Sequence, residues 1–469
     1  MDNYEEDQEY LRELLLRFEG IAGDGGPGFF DSGELEDIIY HYFSESELYK
    51  ARRAIDYAID QFPTEVSFQV FKAQYFLNNG EPEKALARLN SLEEVDPQNP
   101  DISLTRATVY STMHKHAEAI KEYQDAISKV DEDLDEIHTS IAFEYQNLRD
   151  FKKAAEHLKK AIRINKDNES LLYEIGYCFE MGQLSEEAID FFEKELDLRP
   201  YSLVAWFNLG IAYSSLELYE KAIDSYDYAI AIDPTFSPAY FSKAQCYEQM
   251  EMYLEAINVY KQTFDLEKPD SMTNYYIGDC YASLEKFDLA IEFYRKSIKL
   301  EPHFSDAWTG IALCFIEQDN FLEALTHLEQ AIKIESDNAE YYIVYAETQI
   351  ALGMVEEAAV SFLKASELEP YHAEIWLDYS DYYAAIRKDY AKALEVLEEG
   401  IYYQTDNSAL TYRKVAYLYE SGKLQEALEL LSSVLEQDFI GHAGLLEYSE
   451  NVKNSPDILE AIESHKEKK

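Results

Sequence analysis

Small and large apolar residues recur along this chain at helical spacing. Ala222 has equivalents at Ala51, Ala85, Ala119, Ala154, Ala188, Ala256, Ala290, Ala324, Ala358, Ala393 and Ala427, in steps of 34 residues except for two of 35. Four residues later nearly every one is followed by a large apolar side chain, such as Leu89, Tyr123, Phe192, Tyr226, Tyr260, Tyr294, Leu328 or Leu431. Seven residues after the alanine a small residue is common, as at Ala58, Ala126, Ala161, Ala229, Ala331 and Ala365. These offsets mark one face of a helix. A second helical stripe lies upstream, with Trp206, Leu209, Gly210 and Tyr213 in one unit and Trp308 with Phe315, or Trp376 with Tyr383, in others. All three tryptophans hold the same place. Pro63, Pro97, Pro200, Pro234, Pro302 and Pro370 close units, where proline ends one helix and can open the next. The pattern predicts helix, turn, helix, repeated.

These residues resemble the tetratricopeptide repeat, whose pattern is Trp, Leu-Gly, Tyr, Ala, Phe, Ala, Pro across 34 positions; residues 203–236 match nearly every place. The resemblance covers about 32–440, twelve units. It implies an all-α fold, a right-handed α-α superhelix in which stacked helix pairs bury a continuous core that no single pair can bury alone. Residues 1–31 then read as an acidic N-terminal segment, with a short helix over 4–19 (Leu11, Leu14, Leu15 and Phe18 on its apolar side) and a Gly-rich linker. That segment is a tail or terminal cap, or a helix that docks elsewhere, including in the chain's own groove. Residues 441–469 read as a capping helix and tail, with Ser455 as N-cap and Pro456 in the first turn.

Charge narrows the partners. With 41 Lys+Arg against 92 Asp+Glu the formal net charge is −51, a field that repels nucleic-acid phosphates and anionic lipid and attracts basic proteins. No nucleic acid and no membrane is expected as a partner. The opening residues lack a basic stretch followed by an apolar one, so no secretory leader is expected. The expected compartment is the cytoplasm.

Candidate chemistry is sparse. Cys178, Cys246, Cys280 and Cys314 stand at multiples of 34 residues, each one place before an aromatic. Equivalent places in stacked pairs lie too far apart for a disulfide, so they read as small buried filler. His114 and His116 are two apart, on different helix faces, and read as solvated turn residues. Glu195 occupies a place that is alanine in other units, and needs solvent or a partner such as Arg199. No phosphate loop, nucleophile elbow or zinc motif is present. No cofactor, no metal and no catalytic residue is expected. The repeats leave too little chain for a catalytic domain, so the protein is not expected to be an enzyme.

In the family the concave wall is lined by the first helix of each unit, at the places of Val204, Phe207, Ile211, Ser214 and Ser215. Carried through the units starting at 32 to 373, that lining contains no Lys, Arg or His. Tyr173, Phe207, Phe241 and Tyr275 form an aromatic ladder at one place, with Phe143 and Tyr177 beside it. Further on the lining turns acidic, with Asp279, Asp306, Glu317, Glu340, Glu347, Glu374 and Asp381. The resemblance to members that clamp a peptide carboxylate therefore fails on its cations. The expected function is a non-catalytic scaffold binding a segment of a partner protein, basic with apolar anchors, in the groove. Its candidate contacts are Phe143, Tyr173, Tyr177, Phe207, Phe241, Tyr275, Asp279, Glu347 and Asp381. The alternative is a structural homo-oligomer built through the array.

Overall fold

A computed structural model describes residues 2–24, 29–130, 134–266 and 268–466, with side chains of the first helix described from residue 9 to residue 20. Among the described residues every regular element is a helix, and from Ser32 to Gln437 they form twelve consecutive helix–turn–helix pairs. The all-α class follows from the packing stripes. Each turn is made by one residue in the left-handed region: Ser46, Gly80, His114, Arg149, Gln183, Glu217, Glu251, Glu285, Asp319, Gly353, Lys388 and Gly422, with φ between 53° and 81°. Only three are glycine, so the other turns hold a conformation that L side chains resist.

The chain forms two compact units, Met1–Ser242 and Lys243–Lys469. In the first, helix Asp2–Asp24 lays Leu14 and Phe18 on the first helix pair, where both are buried. The Phe18 ring meets Phe30, Tyr42 and Tyr57 at 5.7 to 6.3 Å. Burying each such side chain stabilises by roughly 1.5–3 kcal/mol. Part of the Gly-rich stretch, 25–28, lies outside the described residues. Within the sixth pair, a Cβ on Gly210 would come within 2.5 Å of the Tyr226 ring, so the glycine admits the tyrosine between the two helices. The Trp206 indole donates to the carbonyl of Pro200 at 2.9 Å. Trp308 and Trp376 do the same to Pro302 and Pro370 in the second unit. The shared tryptophan place thus ties each helix to the proline turn before it.

Of the two 35-residue steps, the one between the turns at His114 and Arg149 includes residues 131–133, which lie outside the described residues; in the other the extra residue can be placed. Between Gly353 and Lys388 it enters the helix, which becomes a π-helix at Tyr382–Ile386 with the Arg387 N–H donating to the Tyr382 carbonyl at 3.3 Å. Tyr382 is buried there and its hydroxyl donates to the Val355 carbonyl at 2.5 Å.

The four cysteines are buried thiols outside any disulfide, and burial pushes the Cys178 thiol up to about 11. Glu195 pairs with Arg199 at 2.5 Å. His116 departs from expectation. It opens the helix His116–Ile127, after the turn has ended, and its Nδ1 lies 2.6 Å from Oε2 of the buried Glu144 in the next pair. His114 alone occupies the turn. At the far end, helices His442–Tyr448, Glu450–Lys453 and Pro456–Lys466 follow the last pair. Ser455 Oγ accepts the Ile458 N–H at 3.5 Å, and Ile458 and Ile462 are buried.

Candidate functional site

In unit Lys243–Lys469 the first helices of three consecutive pairs, Ser271–Ser283, Ser305–Glu317 and Ala339–Ala351, bound a cavity of about 590 Å³. The first of them is fixed by Asp270, whose carboxylate accepts the Thr273 N–H at 2.7 Å and so satisfies one of the helix's free donors. Asp279, Asp306, Glu317 and Glu340 reach the cavity from the three helices, and Glu285 from a turn. Among the described residues no Lys, Arg or His lines it.

Tyr294 organises the floor. It comes from the second helix of its pair, Phe287–Leu300, and its ring lies between two glycines of neighbouring first helices. A Cβ on Gly278 or on Gly310 would come within 2.7 Å of that ring. Because both places lack a side chain, the ring passes through and its hydroxyl donates to Asp279 Oδ1 at 2.6 Å. Tyr275 bonds to the same carboxyl, and its ring is braced by Phe304 at 5.0 Å. Tyr341 donates to Asp306 Oδ1 at 2.8 Å.

Burial pushes the Asp279 carboxyl up to about 6; the two tyrosine hydrogen bonds pull it down, and the nearby Glu248 and Asp306 charges push it up again. Burial and the Asp279 charge raise the Tyr275 and Tyr294 hydroxyls, so both remain donors. Burial also pushes the Cys314 thiol in the lining up to about 12, which keeps it protonated and a poor nucleophile. This arrangement offers fixed acceptors to a donor-rich, positive group.

The same register place in unit Met1–Ser242 is closed. There Gly176, Phe192, Asn208 and Ile211 surround a cavity of about 10 Å³. Asn208 stands where the other region has Gly310, and a Cβ on Gly176 would meet its Oδ1 at 1.8 Å.

Family models described as tetratricopeptide repeat match residues 141–202, 204–236, 225–258, 273–304 and 315–376. The chain belongs to the tetratricopeptide repeat family. Such arrays are typically protein–protein interaction scaffolds that bind protein or peptide partners, and are usually non-catalytic. Among solved structures, yeast Tom70 is similar over 92% of this chain and 98% of its own, at 14% identity and a TM-score of 0.44. The APC/C hetero-tetramer Cut9–Hcn1 is similar over 81% of this chain and 95% of its own, at 12% and 0.38. YrrB, described as a TPR protein with an unusual peptide-binding site, covers 39% of this chain and 95% of its own at 21% and 0.32. No curated protein matches the chain by sequence.

The tetratricopeptide register places the remaining candidates as follows. Phe143, Tyr173 and Tyr177, all in unit Met1–Ser242, are between 44% and 47% exposed, which leaves their rings open to contact. Phe207 is half-buried, with its ring 5.1 Å from Phe236 and 5.9 Å from Tyr226. Phe241 is also half-buried. Tyr275 and Asp279 share the cavity. Glu347 is exposed, and its carboxyl is pushed up by desolvation on one side and by Asp378. Asp381 is already occupied: Arg413 pairs with it, Tyr417 donates to it, and the guanidinium lies 3.6 Å over the Tyr448 ring. The cation comes from the last pair, beyond the units through which the lining register was carried.

Sequence reasoning missed Tyr294, which reads as core filler four residues after Ala290, and Tyr341. The available signal was the glycine at Gly310, which has no counterpart at Asn208. Among the described residues no helix is long and apolar enough to cross a membrane. No group of three or more His, Cys, Asp or Glu side chains among them is placed to hold a metal ion.

Proposed function

We propose that this protein is a non-catalytic scaffold that binds a segment of a partner protein through a cationic side chain seated in the Tyr275–Asp279–Asp306 cavity. One observation carries the reading: a cavity of about 590 Å³ lined by carboxylates and tyrosines, with no cation among the described lining residues. Like charges gathered without a counter-ion raise the energy of the empty site, and a Lys or Arg from outside relieves it. Leu313, 45% exposed at the rim, gives the segment an apolar neighbour. In the other unit, Phe143, Tyr173 and Tyr177 offer a second, separate apolar surface.

The test is binding of fluorescent peptides carrying Lys or Arg among apolar residues, against the same peptides with Glu in the basic places. Preference for the basic set, weakened by salt and by Asp306→Asn, supports the reading. Equal affinity for the acidic set sinks it. Light scattering of the purified chain separates this function from self-assembly.

A further inference from the structure

We propose that Asp279 makes occupancy of this pocket pH-responsive: ionised, it pairs with the partner's cationic side chain, and protonated it lets that side chain go. This rests on the cavity being a seat for a cationic group. The geometry that supports it is the company Asp279 keeps. On its own helix the titratable neighbours are Tyr275, Tyr276 and Cys280. From Phe287–Leu300 comes Tyr294, whose ring is locked between Gly278 and Gly310 and whose hydroxyl bond is 2.6 Å long. From Ser305–Glu317 come Asp306, Cys314 and Glu317, and from Ala339–Ala351 come Glu340 and Tyr341. Glu248 acts on it from helix Ser237–Gln249. Every one of these groups is acidic or a neutral donor.

Asp306, Glu317, Glu340 and Glu285 are exposed to solvent, whereas Asp279 is partly buried behind them. It is therefore the carboxylate for which water compensates least and a bound cation compensates most. Proton and ligand compete for one site, so affinity falls once the pH drops below the midpoint of the empty pocket. With burial holding Asp279 at about 6, one competing proton weakens binding about tenfold between pH 7.5 and pH 5.

The experiment uses the full chain and two probes, an acetylated peptide with one lysine among apolar residues and its norleucine counterpart. Anisotropy is read from pH 7.5 to pH 5 at fixed ionic strength, for the native protein and for Asp279→Asn. In parallel, carbon-13 carboxyl shifts of labelled aspartates follow Asp279 itself, assigned by its disappearance in the variant. The expected result is a midpoint near 6, about tenfold weakening of the lysine peptide, and a flat, weaker profile in Asp279→Asn. A midpoint in the ordinary carboxylate range, or a pH dependence unchanged in the variant, overturns the pH role while leaving the cation seat standing. A midpoint near 6 with no preference for lysine over norleucine at any pH overturns the cation seat, and the pH-gated hold with it.

Discussion

Two places in this molecule occupy the same position in the repeat and do opposite things. Around Gly176 the neighbouring helices leave about 10 Å³; beside Asp279 and Gly310 they leave about 590 Å³. In the first, Asn208 leans onto Gly176 and ties its own amide to the Val204 carbonyl at 2.9 Å, so the gap is plugged by the next pair. In the second the equivalent residue is Gly310, and the gap takes Tyr294, whose hydroxyl is delivered to Asp279. The residue after each glycine, Gly176 and Gly278, differs as well: Tyr177 sets a half-exposed ring edge-on to Phe151, while Asp279 keeps a carboxylate in a cavity. A repeat position therefore does not have one role. What its two neighbours leave unfilled sets the role.

The swap that should break this contrast most severely is Gly310→Asn. The Tyr294 ring is confined by Gly278 on its other side, so overpacking should cost about 3 kcal/mol, the upper end for inserted core atoms. A urea midpoint equal to the native one would show that the ring has room the structure does not give it. Tyr294→Phe should come next. It keeps the ring and deletes a donor to an ionised acceptor, a loss of about 1.5–3 kcal/mol above pH 6. Asp279 has its folded-state midpoint raised to about 6, above the unfolded value near 3.9. Its ionisation therefore opposes folding above pH 6, and that penalty fades as the pH falls toward 4. The Tyr294→Phe deficit should shrink over the same range, which paired urea titrations at pH 7.5 and 5 would read.

Glu251→Gly should produce a smaller effect of opposite sign. Its φ of 58° is strained for a side-chain-bearing residue, and relief less the added unfolded-state entropy leaves a gain of about 0.5 kcal/mol. A thermal midpoint lower than native would place the αL preference elsewhere. Least of all should change in stability when Phe143, Tyr173 and Tyr177 become alanine, about 0.5 kcal/mol or less each, because their rings are open to solvent. Loss of cooperative unfolding in that triple variant would mean these rings belong to the core after all.

How much of this was legible beforehand differs from residue to residue. The pairing of Gly210 with Tyr226, the tryptophan place and the buried cysteines all follow from periodicity, because each is a contact inside one pair or with the next one along. At the lining places, Tyr275, Asp279, Asp306, Leu313, Glu317 and Glu340 all border one cavity. His116 was not legible, since neither it nor its partner Glu144 in the next pair belongs to the recurring apolar stripes that the period marks. Nor was the capture of Asp381 by Arg413, 32 residues on.

By itself the amino-acid order determined the helices, their period and the face each buries, since these depend on spacing within a few turns of chain. Only the tertiary structure decided which gap between pairs stays open and which carboxylate inside it lacks a cation. Those outcomes depend on side chains from three successive helix pairs meeting in one volume, and close packing there turns on a single atom group such as the amide of Asn208.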